Sequence, residues 1–191
     1  MASCNGSSTS KSHSGNATKG ADAAIKGVAS RPNEVVRIDK FVQPLRRVRD
    51  PHRRVEVITE TDSESYLIVY GTSSAPARAR LRIGLSTEVA EYDFFFKDKD
   101  LIYLCITSFN YPLGEGGIVY DERQLAVAGR DVLYFSGDRL ISHTSNGKMD
   151  SEYVDASKGS DEKRLANYLV KHWDDKIINL EAWIKEGVLA D

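Results

Sequence analysis

The stretch "ARARLRIGLSTEVAEYDFFFKDKDLIYLCIT" at residues 77–107 decides the architecture. Within it, "ARARLRIGLS" (77–86), "VAEYDFFFKD" (89–98) and "LIYLCIT" (101–107) carry the period of two that marks strands. The links between them are a few polar residues, far too short for the crossover that parallel neighbours need, so the pairing must be antiparallel. Pairing residues 81–83 with 92–94 so that partner numbers sum to 175 sets Leu81 opposite Phe94, Ile83 opposite Tyr92 and Arg82 opposite Asp93. Apolar then meets apolar and opposite charges meet, as cross-strand ladders prefer. A turn through Lys97–Asp100 continues the ladder, with Phe96 opposite Leu101, Phe94 opposite Tyr103 and Tyr92 opposite Cys105. One face would then collect Leu81, Ile83, Tyr92, Phe94, Phe96, Leu101, Tyr103 and Cys105. The other would hold Arg80, Arg82 and Asp93 at one end and Phe95, Ile102, Leu104 and Ile106 at the other.

The same period extends outward. "VEVIT" (55–59) and "SYLIVYG" (65–71) precede the stretch, and "DVLYF" (131–135) and "LISHT" (140–144) follow it. "FFKDKDLI" (95–102) is echoed by "YFSGDRLI" (134–141): an aromatic pair, a polar turn, then Leu-Ile, the mark of a repeated hairpin. A loop containing "PLGEGG" (112–117) separates the copies. Before the strands, Val35, Val36, Ile38, Phe41 and Val42 lie on one helical face that Asn33 can cap, and Pro44 sets the expected end near residue 43. After them, Leu165, Tyr168, Leu169, Trp173, Ile177, Leu180 and Ile184 read as one stripe of a long amphipathic helix. Ser160 is its expected cap and Gly187 its stop. The expected fold class is α+β: an antiparallel β-meander with an N-terminal helix and a long C-terminal helix packed on it.

The chain has 191 residues, enough for one domain plus a tail. Residues 1–32 are dominated by small polar residues that cannot bury enough surface to offset their ordering entropy, so a tail or tether is expected there and a single domain over 33–191. A net charge of −2 does not mark a nucleic-acid binder. The basic stretch "RRVRDPHRR" (46–54) reads as a solvated connector, and the acidic "DSEYVDASKGSDE" (150–162) lacks the ligand spacing of a calcium loop. No nucleophile elbow, zinc motif, Walker loop or dinucleotide fingerprint occurs, and His13, His52, His143 and His172 fall at no metal-ligand spacing. No catalytic residue, metal or cofactor is expected.

The residues "DFFFKDKDLIYL" (93–104), "VLYFSGDRLISH" (132–143) and "DEKRLANYLVKHW" (161–173) resemble a group of small uncharacterised bacterial envelope lipoproteins. Those proteins carry a "YYFxxGxLI" hairpin, sometimes twice, followed by a polar loop and a terminal helix. The first copy departs from the pattern at Lys99, where Gly or Asn is common in the turn. The resemblance brings no catalytic residues with it. It bears on Cys4, because Ala2-Ser3-Cys4 fits the last positions of a lipobox, although the apolar segment of a signal peptide is missing before it. The resemblance therefore implies lipid attachment at Cys4, a signal peptide already removed, and a place in the cell envelope. The competing expectation is a cytoplasmic toxin-neutralising (immunity-type) or adaptor protein. Either way the expected function is binding, with another protein as partner and the membrane reached only through a lipid on Cys4. The expected contact surface is Arg80, Arg82, Phe95, Ile102 and Leu104, unless the first helix or the 108–130 segment covers that face.

Overall fold

The structure, a computed structural model, describes residues 33–59, 64–72, 75–85, 87–145 and 156–181. Helix α1 spans Asn33–Leu45. Strands β1 (Arg53–Ile58), β2 (Tyr66–Thr72), β3 (Ala75–Gly84), β4 (Glu88–Lys97) and β5 (Asp100–Asn110) follow. An excursion over 111–125 contains the two-residue strands β6 (Leu113–Gly114) and β7 (Gly117–Ile118) and a 3-10 turn at Glu122–Gln124. Strands β8 (Ala126–Ser136) and β9 (Arg139–Ser145), helix α2 (Ala156–His172) and strand β10 (Ile177–Asn179) complete the described chain. Eight strands form one sheet in the order β10-β1-β2-β3-β4-β5-β8-β9, antiparallel at every junction except β1–β10. The seven long strands expected from the period of two are all present. The expected tail at 1–32 and Cys4 lie outside the described residues.

The register of β3 on β4 differs from expectation by two residues. Leu81 faces Tyr92, Arg80 faces Asp93 and Arg82 faces Glu91. The hairpin closes one residue earlier than the expected register implies, with Leu85 N donating to the Glu88 carbonyl at 2.8 Å. A slip of two keeps every side chain on its face, and here it gives both Arg80 and Arg82 a carboxylate directly opposite.

In the next hairpin the faces themselves change. Phe96 faces Leu101 but Phe95 faces Tyr103, so Ile102 is the extra residue of a bulge. Beyond it Leu104 and Ile106 join Phe94 on one face, whereas Tyr103 and Cys105 join Phe95 on the other, the reverse of the expected sorting. Alternation was uninformative because both faces are buried: Phe94, Phe95 and Phe96 are all inside. The echo at 134–141 repeats the device. Tyr134 faces Ser142 and Phe135 faces Leu140, leaving Ile141 as the extra residue. Leu101 and Leu140 turn to one face, Ile102 and Ile141 to the other.

The two faces carry one helix each. Helix α1 buries Val35, Ile38 and Val42 against Phe95, Tyr103, Cys105 and Tyr134. It runs two residues past the expected end because Pro44 sits in the final turn, and Arg46 N still closes on the Val42 carbonyl at 3.1 Å. Helix α2 buries Leu165, Ala166 and Leu169 in a larger core drawn from β1–β5, β8 and β10. It starts at Ala156, before the expected Ser160, and stops at His172. Ile177, expected on the helix, instead opens β10, parallel to β1, and Leu180 lies just past that strand where the chain turns helical again. The β-branched pair Ile177-Ile178 favours a strand, and β1 offers an unpaired edge for it. Trp173 follows the helix, half-buried beside the His52 ring at 5.8 Å, rather than in the centre of a helical face. Ile184 and Gly187 lie outside the described residues.

Candidate functional site

The face that carries α1 can be followed in rows across the strands. Under the helix lie Arg78, Phe95, Tyr103 and Tyr134; the next row holds Arg80, Asp93, Cys105, Val132 and Thr144; the next, Arg82, Glu91, Thr107 and Arg130. Past a second bulge at Ser108/Phe109 the face ends on Phe109 and Val127, where the 111–125 excursion begins. Apolar cover by α1 thus gives way to a charged band and then to the excursion.

Arg78 is almost wholly buried, its guanidinium bidentate on Asp93 at 2.7 and 2.9 Å. Its third nitrogen points at the carbonyls of Leu45, Arg46 and Val48, at 3.3, 3.3 and 3.5 Å. A buried cation therefore neutralises the C-terminal end of α1, where the helix dipole is negative. Two further contacts hold the helix: Tyr134 Oη donates to Asp39 at 2.9 Å, and Arg46 donates to Tyr103 Oη while lying over the Tyr103 ring at 4.8 Å. Burial pushes the Tyr103 hydroxyl up to about 12, against the opposing pull of Arg46.

The five residues expected to form one contact surface do not come together. Phe95 and Leu104 are fully buried on opposite faces, because the Ile102 bulge separates them. Ile102 is partly buried in a cleft of about 870 Å³ at the hairpin tips, with Ile38, Phe41 and Phe135. Arg80 is half-exposed and 3.7 Å from Asp93. Arg82 is buried and holds structure together rather than presenting itself. It donates to Glu91 at 3.2 Å and to Glu122, in the excursion, at 2.7 Å. Burial lowers its pKa, but these carboxylates outweigh burial and raise it overall. The expected partner of Arg82, Asp93, is taken by Arg78 as a consequence of the two-residue register shift.

The excursion itself is braced. Val119 N donates to the Pro112 carbonyl at 2.9 Å, the Tyr111 and Tyr120 rings meet edge-on at 5.3 Å, and Asp121 caps the 3-10 turn by accepting from Arg123 N. Hydrogen bonds from Arg123 and then Gln124 hold the Asp121 carboxyl below the usual range. On this frame Leu113 is 81% exposed, Tyr120 67% and, at its foot, Val127 66%. These residues escaped sequence reasoning because "NYPLGEGGIVYDERQLAV" (110–127) has no periodicity. The available signal was the presence of large apolar residues in a segment otherwise made of turn formers.

Among the described residues His143 is 3.0 Å from Asp131 and His172 is 2.9 Å from Asp175, and no group of three or more metal-ligating side chains converges. The fold and surface together define an α+β domain with a largely antiparallel eight-stranded sheet between two helices and a braced apolar excursion. No protein-family model, curated protein or solved structure matches this chain.

Proposed function

We propose that the chain is a non-enzymatic binding domain that recognises another protein through the 111–125 excursion and the adjoining Val127. The observation that carries this reading is the exposure of Leu113, Tyr120 and Val127 on a segment held in shape by its own contacts. Loops positioned by a rigid scaffold are where binding residues concentrate, and exposed apolar side chains rimmed by charge suit partner contact. Glu115, Glu122 and Arg123 supply that rim.

The test is a variant carrying Leu113→Ser, Tyr120→Ser and Val127→Ser. Quantitative affinity capture from the source cells should show a protein retained by the wild type and lost by the variant, at an unchanged melting temperature. Equal retention by both would overturn the reading.

The Ala2-Ser3-Cys4 sequence supports a lipid-tethered form in the cell envelope. Intact-mass measurement of the native protein should find an acylated Cys4. An unmodified Cys4 overturns the anchor and favours the toxin-neutralising or adaptor role, without touching the proposed contact surface.

A further inference from the structure

A cavity of about 520 Å³ opens between α1 and β8. Asp39, Lys40 and Gln43 form its helical wall, a spacing that places them on one flank of α1, and Arg46 follows just beyond the helix. Tyr103, Arg130, Tyr134 and Thr144 form the floor. Donors dominate this lining. Lys40, Arg46 and Arg130 can only donate, and none of them forms an ion pair with a carboxylate among the described residues. The one carboxylate in the wall, Asp39, already accepts from Tyr134 Oη at 2.9 Å. Three cations against one carboxylate leave two positive charges in excess.

We infer that this cavity is a binding site for a phosphate monoester dianion. A planar guanidinium matches the oxygen spacing of phosphate in a way an ammonium does not, and both arginines are oriented before any ligand arrives. Arg46 is held by the Tyr103 hydroxyl and the ring beneath it. Arg130 donates through Nε to Cys105 Sγ at 3.1 Å, which leaves its terminal nitrogens for Tyr103 and for a ligand. The volume exceeds what phosphate alone requires and lies in the range of small-molecule pockets, so an organic group on the phosphate also fits. The excursion takes no part, so this site stands or falls independently of the proposed protein contact.

Isothermal titration of the full chain at pH 8 with phenyl phosphate, inorganic phosphate and benzoate tests the assignment. Phenyl phosphate should bind at least about tenfold more tightly than either of the others, and Arg130→Gln should weaken it by about tenfold or more. Lys40 is exposed, so Lys40→Gln leaves the fold intact; it should weaken binding by about two- to fivefold. That variant keeps the test decisive if Arg130→Gln does not fold. Absence of binding at millimolar phenyl phosphate, equal affinity for benzoate, or wild-type affinity in folded variants would overturn the inference. Inorganic phosphate binding as tightly as phenyl phosphate would overturn the ester and assign the site to free phosphate.

Discussion

Arg78 is the residue on which the α1 side of the molecule turns. It satisfies Asp93 with two hydrogen bonds and answers the carbonyls at the end of α1, with its own side chain almost wholly buried. Removing one partner of a buried ion pair strands the other, at a cost of about 3–5 kcal/mol. Arg78→Ala should therefore show that loss in a denaturant titration, together with faster hydrogen exchange in α1. Tyr103 offers a test of a different kind. Its hydroxyl titrates near 10.0 when unfolded but about 12 when folded, so the folded state keeps a proton that the unfolded state releases. Stability is unaffected below the lower value and falls as pH rises through that window, by about 3 kcal/mol in total. Thermal melts across it should slope downward in the wild type and less steeply in Tyr103→Phe.

The two related hairpins differ in how their turns are made. Gly137 takes a positive φ of 55° without penalty, whereas Asp98 and Lys99 adopt 53° and 72° with side chains attached. Asp tolerates the left-handed region better than Lys, so Lys99 is the strained position. Lys99→Gly should stabilise the protein by about 1 kcal/mol, seen as a rise in melting temperature of about 2–4 °C. In both hairpins the second aromatic faces α2 and the first faces α1, and a bulge after the turn leaves Ile102 and Ile141 on the α1 face beside the residues that follow them. The repeat was legible in "FFKDKDLI" and "YFSGDRLI". The extra residue was not, because an aromatic run buried on both faces gives no alternation to read. β10 escaped for a related reason. Ile177 fits a helical stripe continued from Trp173 just as the β-branched pair Ile177-Ile178 fits a strand, and only the vacant edge of β1 separates the two.

Across the molecule the sheet divides the chain into a thick apolar layer under α2 and a mixed layer under α1, and the proposed contact surface and the proposed phosphate site both lie on the mixed side. Arg82 joins its parts, bonding β3 to Glu91 on β4 and to Glu122 in the excursion. Arg82→Gln should cost about 1–3 kcal/mol and release the excursion while the sheet stays folded. Trypsin cleavage at Arg123, already exposed, should then accelerate severalfold relative to other sites. An unchanged cleavage pattern would mean that the excursion is held by its own contacts alone.

The sequence by itself determined the α+β class, the seven long strands and the presence of a helix before and after them. Each of these follows from local periodicity, and neighbours close in the chain have few ways to pair. It also marked Arg80, Arg82 and Asp93 as charges sharing one face. Tertiary structure alone decided which carboxylate each arginine takes, which face Leu104 and Phe95 occupy, where α2 ends, and that Arg46, Tyr103 and Arg130 meet around one cavity. Those outcomes depend on a two-residue register choice, on single-residue bulges, and on contacts between segments tens of residues apart. Local pattern is insensitive to all three, because a register slip of two preserves every face and a long-range ion pair leaves no periodic trace.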